Sequence, residues 1–183
     1  MRDIYILLTD TGSVLTRVIK RFTNNPYNHV SIAFDEDLNK LYSFGRLQPN
    51  NPFFGGFVEE SIYSGTFKRF EKTTCMILRL SIGNEEYDLL KHNLKTFTSN
   101  TDGYTYNLVG LIGAAFNVKV PRKSAYFCSE FVASLLYDSN LTLLNKQPHC
   151  VRPYDFRSVE GVEIVYEGLL SDYAMEMEFI KGT

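Results

Sequence analysis

The spacing of apolar residues changes along this chain, and that change constrains the fold more than any other feature. Up to Ile82 the apolar residues gather in runs of strand length. Ile4 to Thr9 is short and mostly apolar, as a buried strand would be. His29 to Phe34 (HVSIAF) alternates, with Val30, Ile32 and Phe34 on one face and His29, Ser31 and Ala33 on the other. The acidic turn Asp35-Glu36-Asp37 leads into a second strand, Lys40 to Gly45, and the two are predicted to form a hairpin. A looser stretch with Pro49, Pro52, Gly55 and Gly56 precedes Phe57 to Ile62, and Cys75 to Ile82 (CMILRLSI) is a further strand. One helical stripe interrupts this half: Thr11 to Thr23, with Val14, Leu15, Val18, Ile19 and Phe22 aligned and Pro26 preventing continuation.

Beyond residue 83 the period becomes helical. Asn84 to Thr98 places Tyr87, Leu90, Leu94 and Phe97 on one side, with Asn84 as N-cap and Glu85 and Glu86 in the dipole-favoured first turn. Helices are also expected from about Thr105 to Phe116 and from Phe127 to Asp138, and Val162 to Tyr166 closes with a short strand. Strands gathered early and helices late favour an α+β fold, a small antiparallel sheet packed against helices, over a repeating βαβ arrangement. With no repeat, low-complexity stretch or long linker, the 183 residues read as one domain, 1–183.

Charge and cysteine usage exclude several function classes. The net charge is -2 with both signs interspersed, so a nucleic-acid-binding surface is not expected. The Ile4 to Leu8 run is too short for a secretory signal, and no stretch approaches the roughly 18 apolar residues of a transmembrane segment. A cytoplasmic location is the expectation. The 3 cysteines, Cys75, Cys128 and Cys150, form neither a disulfide framework nor a CxxC pair, which leaves a thiol available for chemistry.

Cys128 stands at the start of the helix SAYFCSEFVASLLY, whose inner stripe includes Val132, Leu135 and Leu136. A helix N-terminus offers unpaired N–H groups and a positive dipole end, both of which favour a thiolate. A cysteine in such a place is equally compatible with an inert core filler. His29 opens a strand whose face-mates Ser31 and Ala33 are small, so that a helix can approach that face and bring the sulfur within reach of the imidazole. The plain alternative is a histidine that merely caps a strand. Two hairpin registers are open. With the loop Asp35 to Asp37, His29 lies opposite Ser43; with Asp35 to Asn39, Ser43 pairs with Ser31. Both put Ser43 on the His29 face, because side chains alternate with period two. Ser43 is therefore the candidate for the group that orients the base, against the reading of an ordinary strand serine.

At these residues the sequence resembles the circularly permuted branch of the NlpC-type papain-like cysteine hydrolases, a broad class that includes lecithin:retinol acyltransferase. The shared features are the strand IYILLTDTG, a helix, the strand beginning YNHVSIAF, the late helix YFCSEFVASLLY and then VRPYDF, over roughly residues 3 to 156. The histidine strand precedes the cysteine helix, the reverse of the order in papain. The resemblance implies a permuted papain-like fold with Cys128 as nucleophile and His29 as base. Its third polar position falls on Ser43, where relatives more often carry a carboxylate, amide or imidazole; a neutral hydroxyl cannot stabilise imidazolium by charge. The implied chemistry is acyl transfer through an acyl-enzyme, with the Cys128 N–H as an oxyanion donor. A thiol-dependent hydrolase acting on a peptide-like amide is the leading expectation. An acyltransferase or lipid or ester hydrolase of the same class, and a binding module that kept the fold without activity, are the alternatives. Glu130 matches a family pattern and reads as structural or capping.

Arg46, in YSFGRLQPN, lies near the end of the sheet that bears His29. It is a candidate substrate-binding residue, with a surface ion pair to Glu59 or Glu60 as the plainer reading. The loop Gln48 to Phe57, with Phe53 and Phe54, is placed to cover a cleft or to pack on the core. His149, Cys150 and Asp155 lack any HxxxH, HExxH or paired CxxC spacing, and no Gly-rich phosphate loop is present, so neither a metal nor a cofactor is expected.

Overall fold

The computed structural model describes residues 1–12, 25–48, 51–99 and 127–182. Six strands form one antiparallel sheet: β1 (Arg2–Asp10), β2 (His29–Ala33), β3 (Leu41–Gln48), β4 (Asn51–Glu60), β5 (Thr74–Ile82) and β6 (Glu163–Leu169), in the spatial order β4-β3-β2-β1-β5-β6. Among the described residues four α-helices accompany it: α1 (Gly65–Arg69), α2 (Asn84–Thr98), α3 (Cys128–Tyr137) and α4 (Leu170–Gly182), with short 3-10 turns at Pro148–Cys150 and Pro153–Ser158. The α+β expectation stands. The expected helices at Thr11 to Thr23 and Thr105 to Phe116 fall almost wholly outside the described residues.

β1 explains its own sequence. It lies between β2 and β5 with both faces covered, and Ile4 to Leu8 are all buried, so alternation gives way to a continuous apolar run. Ile4, Ile6 and Leu8 share one face with Val30, Ile32, Phe44, Met76 and Leu78, under α2 (Tyr87, Leu90, Leu94) and α3 (Phe131, Val132, Leu135, Leu136). Tyr5 and Leu7 face the other way with Ala33, Leu41, Cys75 and Ile77, beneath Phe67 of α1 and Leu170 and Tyr173 of α4. On the first face Phe131 meets Phe44 at a tilt and Phe97 edge to face, with ring centroids 5.1 Å apart in each case. This aromatic cluster fixes α3 on the sheet.

The hairpin turn settles the register. The Leu38 N–H donates to the Asp35 carbonyl (3.3 Å) and the Asn39 N–H to the Asp35 carboxylate (3.0 Å). Ile32 then pairs with Tyr42 and Ala33 with Leu41, which is the second of the two registers and aligns Ser43 with Ser31. One expectation is corrected. The stretch from Gln48 to Phe57 is not a loop over a cleft: β4 begins at Asn51 and pairs with β3 through Arg46↔Gly55 and Gly45↔Gly56. Its glycines sit in a strand beside another strand, and the proline lies near the strand start on the sheet edge, where a missing N–H is tolerated.

Candidate active site

Cys128 is the first residue of α3, with Phe127 as N-cap in an extended conformation. Phe127 has no side chain able to accept a first-turn N–H. Glu130 compensates from the other direction, its carboxylate accepting the Phe127 N–H at 3.4 Å, the role expected for it. Ser129, the next residue, donates its hydroxyl to the Val151 carbonyl at 2.6 Å and anchors the helix start to the segment after the first 3-10 turn. These bonds hold the helix end that carries the sulfur.

The body of α3 covers the face of Val30, Ile32 and Phe44, and not the small-residue face of Ser31 and Ala33. That corrects the expected approach of the helix. The reason is energetic: Phe131, Val132, Leu135 and Leu136 need apolar partners, and only the even-numbered residues of β2 and β3 supply them. Among the described residues the β2–β3 ladder consists of Ile32↔Tyr42 and Ala33↔Leu41, so it has ended before Val30. There the Val30 N–H hydrogen-bonds the Cys128 sulfur. The sulfur thus lies against the residue that follows His29 in β2.

His29 lies on the other face of β2, with Ser31 and Gly45. Its Nε2 lies 3.3 Å from Ser31 Oγ and 3.9 Å from Glu60 Oε2, and the Ser43 hydroxyl donates to the same Glu60 oxygen at 3.4 Å. The ring passes over Gly45, where an added Cβ would stand 3.8 Å from His29 Cε1 and 3.3 Å from Val58 Cγ2. The small residues of this face thus make room for the imidazole. Upstream, Asp10 ties down the approach to His29: its carboxylate accepts from the Gly12 N–H (3.0 Å) and from Asn28 Nδ2 (3.3 Å), while the Asn28 N–H donates to the Thr9 carbonyl (3.1 Å).

Two kinds of effect compete at the sulfur. Burial pushes the Cys128 thiol up to about 11, while the N–H groups of Val30, Ser129 and Cys128 itself act in the opposite direction. Desolvation wins. The helix N-terminus does not by itself give a thiolate, contrary to the expectation from position alone. Cys75 is more deeply buried and is pushed up to about 12, and Cys150 is exposed on the 3-10 turn.

Of the residues singled out in the sequence, His29 and Ser43 both approach Glu60, and Cys128 meets the backbone of Val30, the residue that follows His29. Arg46 has its backbone in β3, paired with Gly55, and its side chain lies outside those described. Of its two suggested partners, Glu59 pairs with Lys40 at 3.2 Å and Glu60 lies 3.9 Å from His29. Among the described residues no group of His, Cys, Asp and Glu could hold a metal ion. No helix among them is long and apolar enough to cross a membrane. Glu60 and Asp10 were not anticipated. Glu60 becomes findable once β4 is extended back to Asn51, because Ser43↔Val58 pairing then puts Glu60 on the Ser43 face. No protein-family model matches the chain, and no curated protein matches it.

Proposed function

We propose that the protein is a thiol-dependent hydrolase of peptide-like amide bonds, with Cys128 as nucleophile and His29 as general base. The observation that supports this reading is the placement of the Cys128 sulfur against the N–H of Val30, the residue that follows His29 in β2. In the proposed reaction His29 takes the thiol proton as sulfur attacks the carbonyl carbon. The C–N bond breaks, His29 returns the proton to the leaving amine, and water hydrolyses the thioester with His29 again accepting a proton. The first-turn N–H groups that face the sulfur also suit the oxyanion. The permuted papain-like fold suggested by the sequence belongs to this proposal.

One observation favours a second reading. A thiol held up at about 11 is a poor nucleophile unless a cation forms beside it, which suits a binding module that kept the fold. Intact-mass measurement after incubation with an activated acyl ester separates the two. A single acyl adduct on Cys128, turned over by water and lost in Cys128→Ala and His29→Ala, is expected of the hydrolase. Acylation of Cys150 alone sinks it.

A further inference from the structure

We infer that Glu60 is the positioning residue for His29, occupying the role that the hairpin register assigns to Ser43. The inference rests on the hydrolase reading and supplies its missing third member. The geometry comes from three strands. β2 offers His29 and Ser31, β3 offers Ser43 and Gly45, and β4 brings Glu60 across at the strand end. His29 Nε2 lies 3.3 Å from Ser31 Oγ and 3.9 Å from Glu60 Oε2. Ser43 donates to that carboxylate oxygen at 3.4 Å, so its hydroxyl steers the carboxylate.

The chemistry favours this division of labour. A serine hydroxyl is neutral and cannot compensate the charge of an imidazolium, whereas a carboxylate about 4 Å away does so without covalent change. The His29 and Glu60 side chains are only 23% and 19% exposed, so solvent weakens their interaction less than it would that of a surface pair. With Nε2 turned to Ser31 and Glu60, Nδ1 is the nitrogen left to take the thiol proton in the proposed reaction. Imidazolium held in this way is the cation that a thiol raised by burial requires beside it. Glu60 from β4 is the carboxylate set against Nε2, at 3.9 Å, while Asp10 at the end of β1 accepts from Gly12 and Asn28.

The test uses the full chain in a Cys150→Ser background. Imidazole NMR follows the His29 titration, assigned by its absence in His29→Ala, and Cys128 alkylation by iodoacetamide is followed against pH in the same variants. Glu60→Gln keeps the size and hydrogen-bonding capacity of the side chain and removes its charge. The expected result is a fall of about half a unit or more in the His29 midpoint. The His29-dependent limb of the Cys128 rate should move by the same amount, with wild-type behaviour largely restored in Glu60→Asp. An unchanged His29 midpoint overturns the inference. A midpoint that falls while the Cys128 profile stays in place also overturns it, since Glu60 would then be a charge near His29 and no more. If His29→Ala leaves Cys128 unaffected, it is the hydrolase reading that fails, whatever Glu60 does to the ring.

Discussion

The Val30 N–H hydrogen-bonds the Cys128 sulfur, joining the first residue of α3 to the residue that follows His29 in β2. Two elements far apart in sequence meet at this contact. The β2–β3 ladder ends at Ile32, short of Val30, which stays paired with Leu8 of β1.

The aromatic cluster that seats α3 should dominate its stability. Phe131 is fully buried and touches Phe44, Phe57 and Phe97. Phe131→Ala is expected to cost about 3–5 kcal/mol, read as a lower urea midpoint. A loss below about 1 kcal/mol would show that α3 is held by other means.

The helix start is a smaller and separable contribution. Glu130→Ala removes the carboxylate that accepts the Phe127 N–H. The expected loss is about 0.5–2 kcal/mol, with far-UV circular dichroism unchanged at 20–25 °C. A stability equal to wild type would mean that the bond contributes nothing.

Stability should fall in alkaline solution. Burial holds Cys75 up to about 12 and Cys128 up to about 11, so both stay protonated in the fold while unfolded thiols lose their protons near 8.5. Above that pH the native state binds more protons than the unfolded state, and stability decreases as pH rises. The decline begins near pH 8.5–9 and continues until the folded thiols ionise. Tyr27 and Tyr173, also raised chiefly by burial, add to it at higher pH. Urea midpoints under reducing conditions at pH 8 and pH 10 check this; equal midpoints would contradict it.

Ser43 is fully buried and hydrogen-bonded to Glu60. If the hydroxyl only steers the carboxylate, Ser43→Ala should lower Cys128 reactivity by less than about threefold and cost about 1 kcal/mol of stability. A larger loss of reactivity than in Glu60→Gln would return the orienting role to Ser43. Alkylation rates and denaturant midpoints of the two variants decide the matter.

Much of this was legible in the sequence because patterning carried it. The alternation in HVSIAF marked β2, the period of Tyr87, Leu90 and Leu94 gave α2, and the Val132-Leu135-Leu136 stripe gave α3 within a residue at each end. β4 was misread at its start because Pro52, Gly55 and Gly56 carry a turn composition, whereas the pairing that makes them a strand comes from β3. Glu60 was missed with it, since its place near His29 follows from that register. α4 was not anticipated: only Leu170 and Tyr173 of its residues are buried, too few to mark a stripe. The thiol's protonation also lay beyond the sequence, because position suggests the helix dipole but only packing reveals how strongly desolvation opposes it.

The dyad is tested most directly by the alkylation rate of Cys128 against pH, measured by peptide mass in a Cys150→Ser background with and without His29→Ala. Cys75 is fully buried and serves as an internal control that should react only on unfolding. With His29 present, Cys128 is expected to react near neutral pH, at least about tenfold faster than in His29→Ala. In that variant the rate should rise only toward the value of about 11 that burial imposes. Superimposable profiles for the two proteins would contradict the assignment of His29 as the base for Cys128.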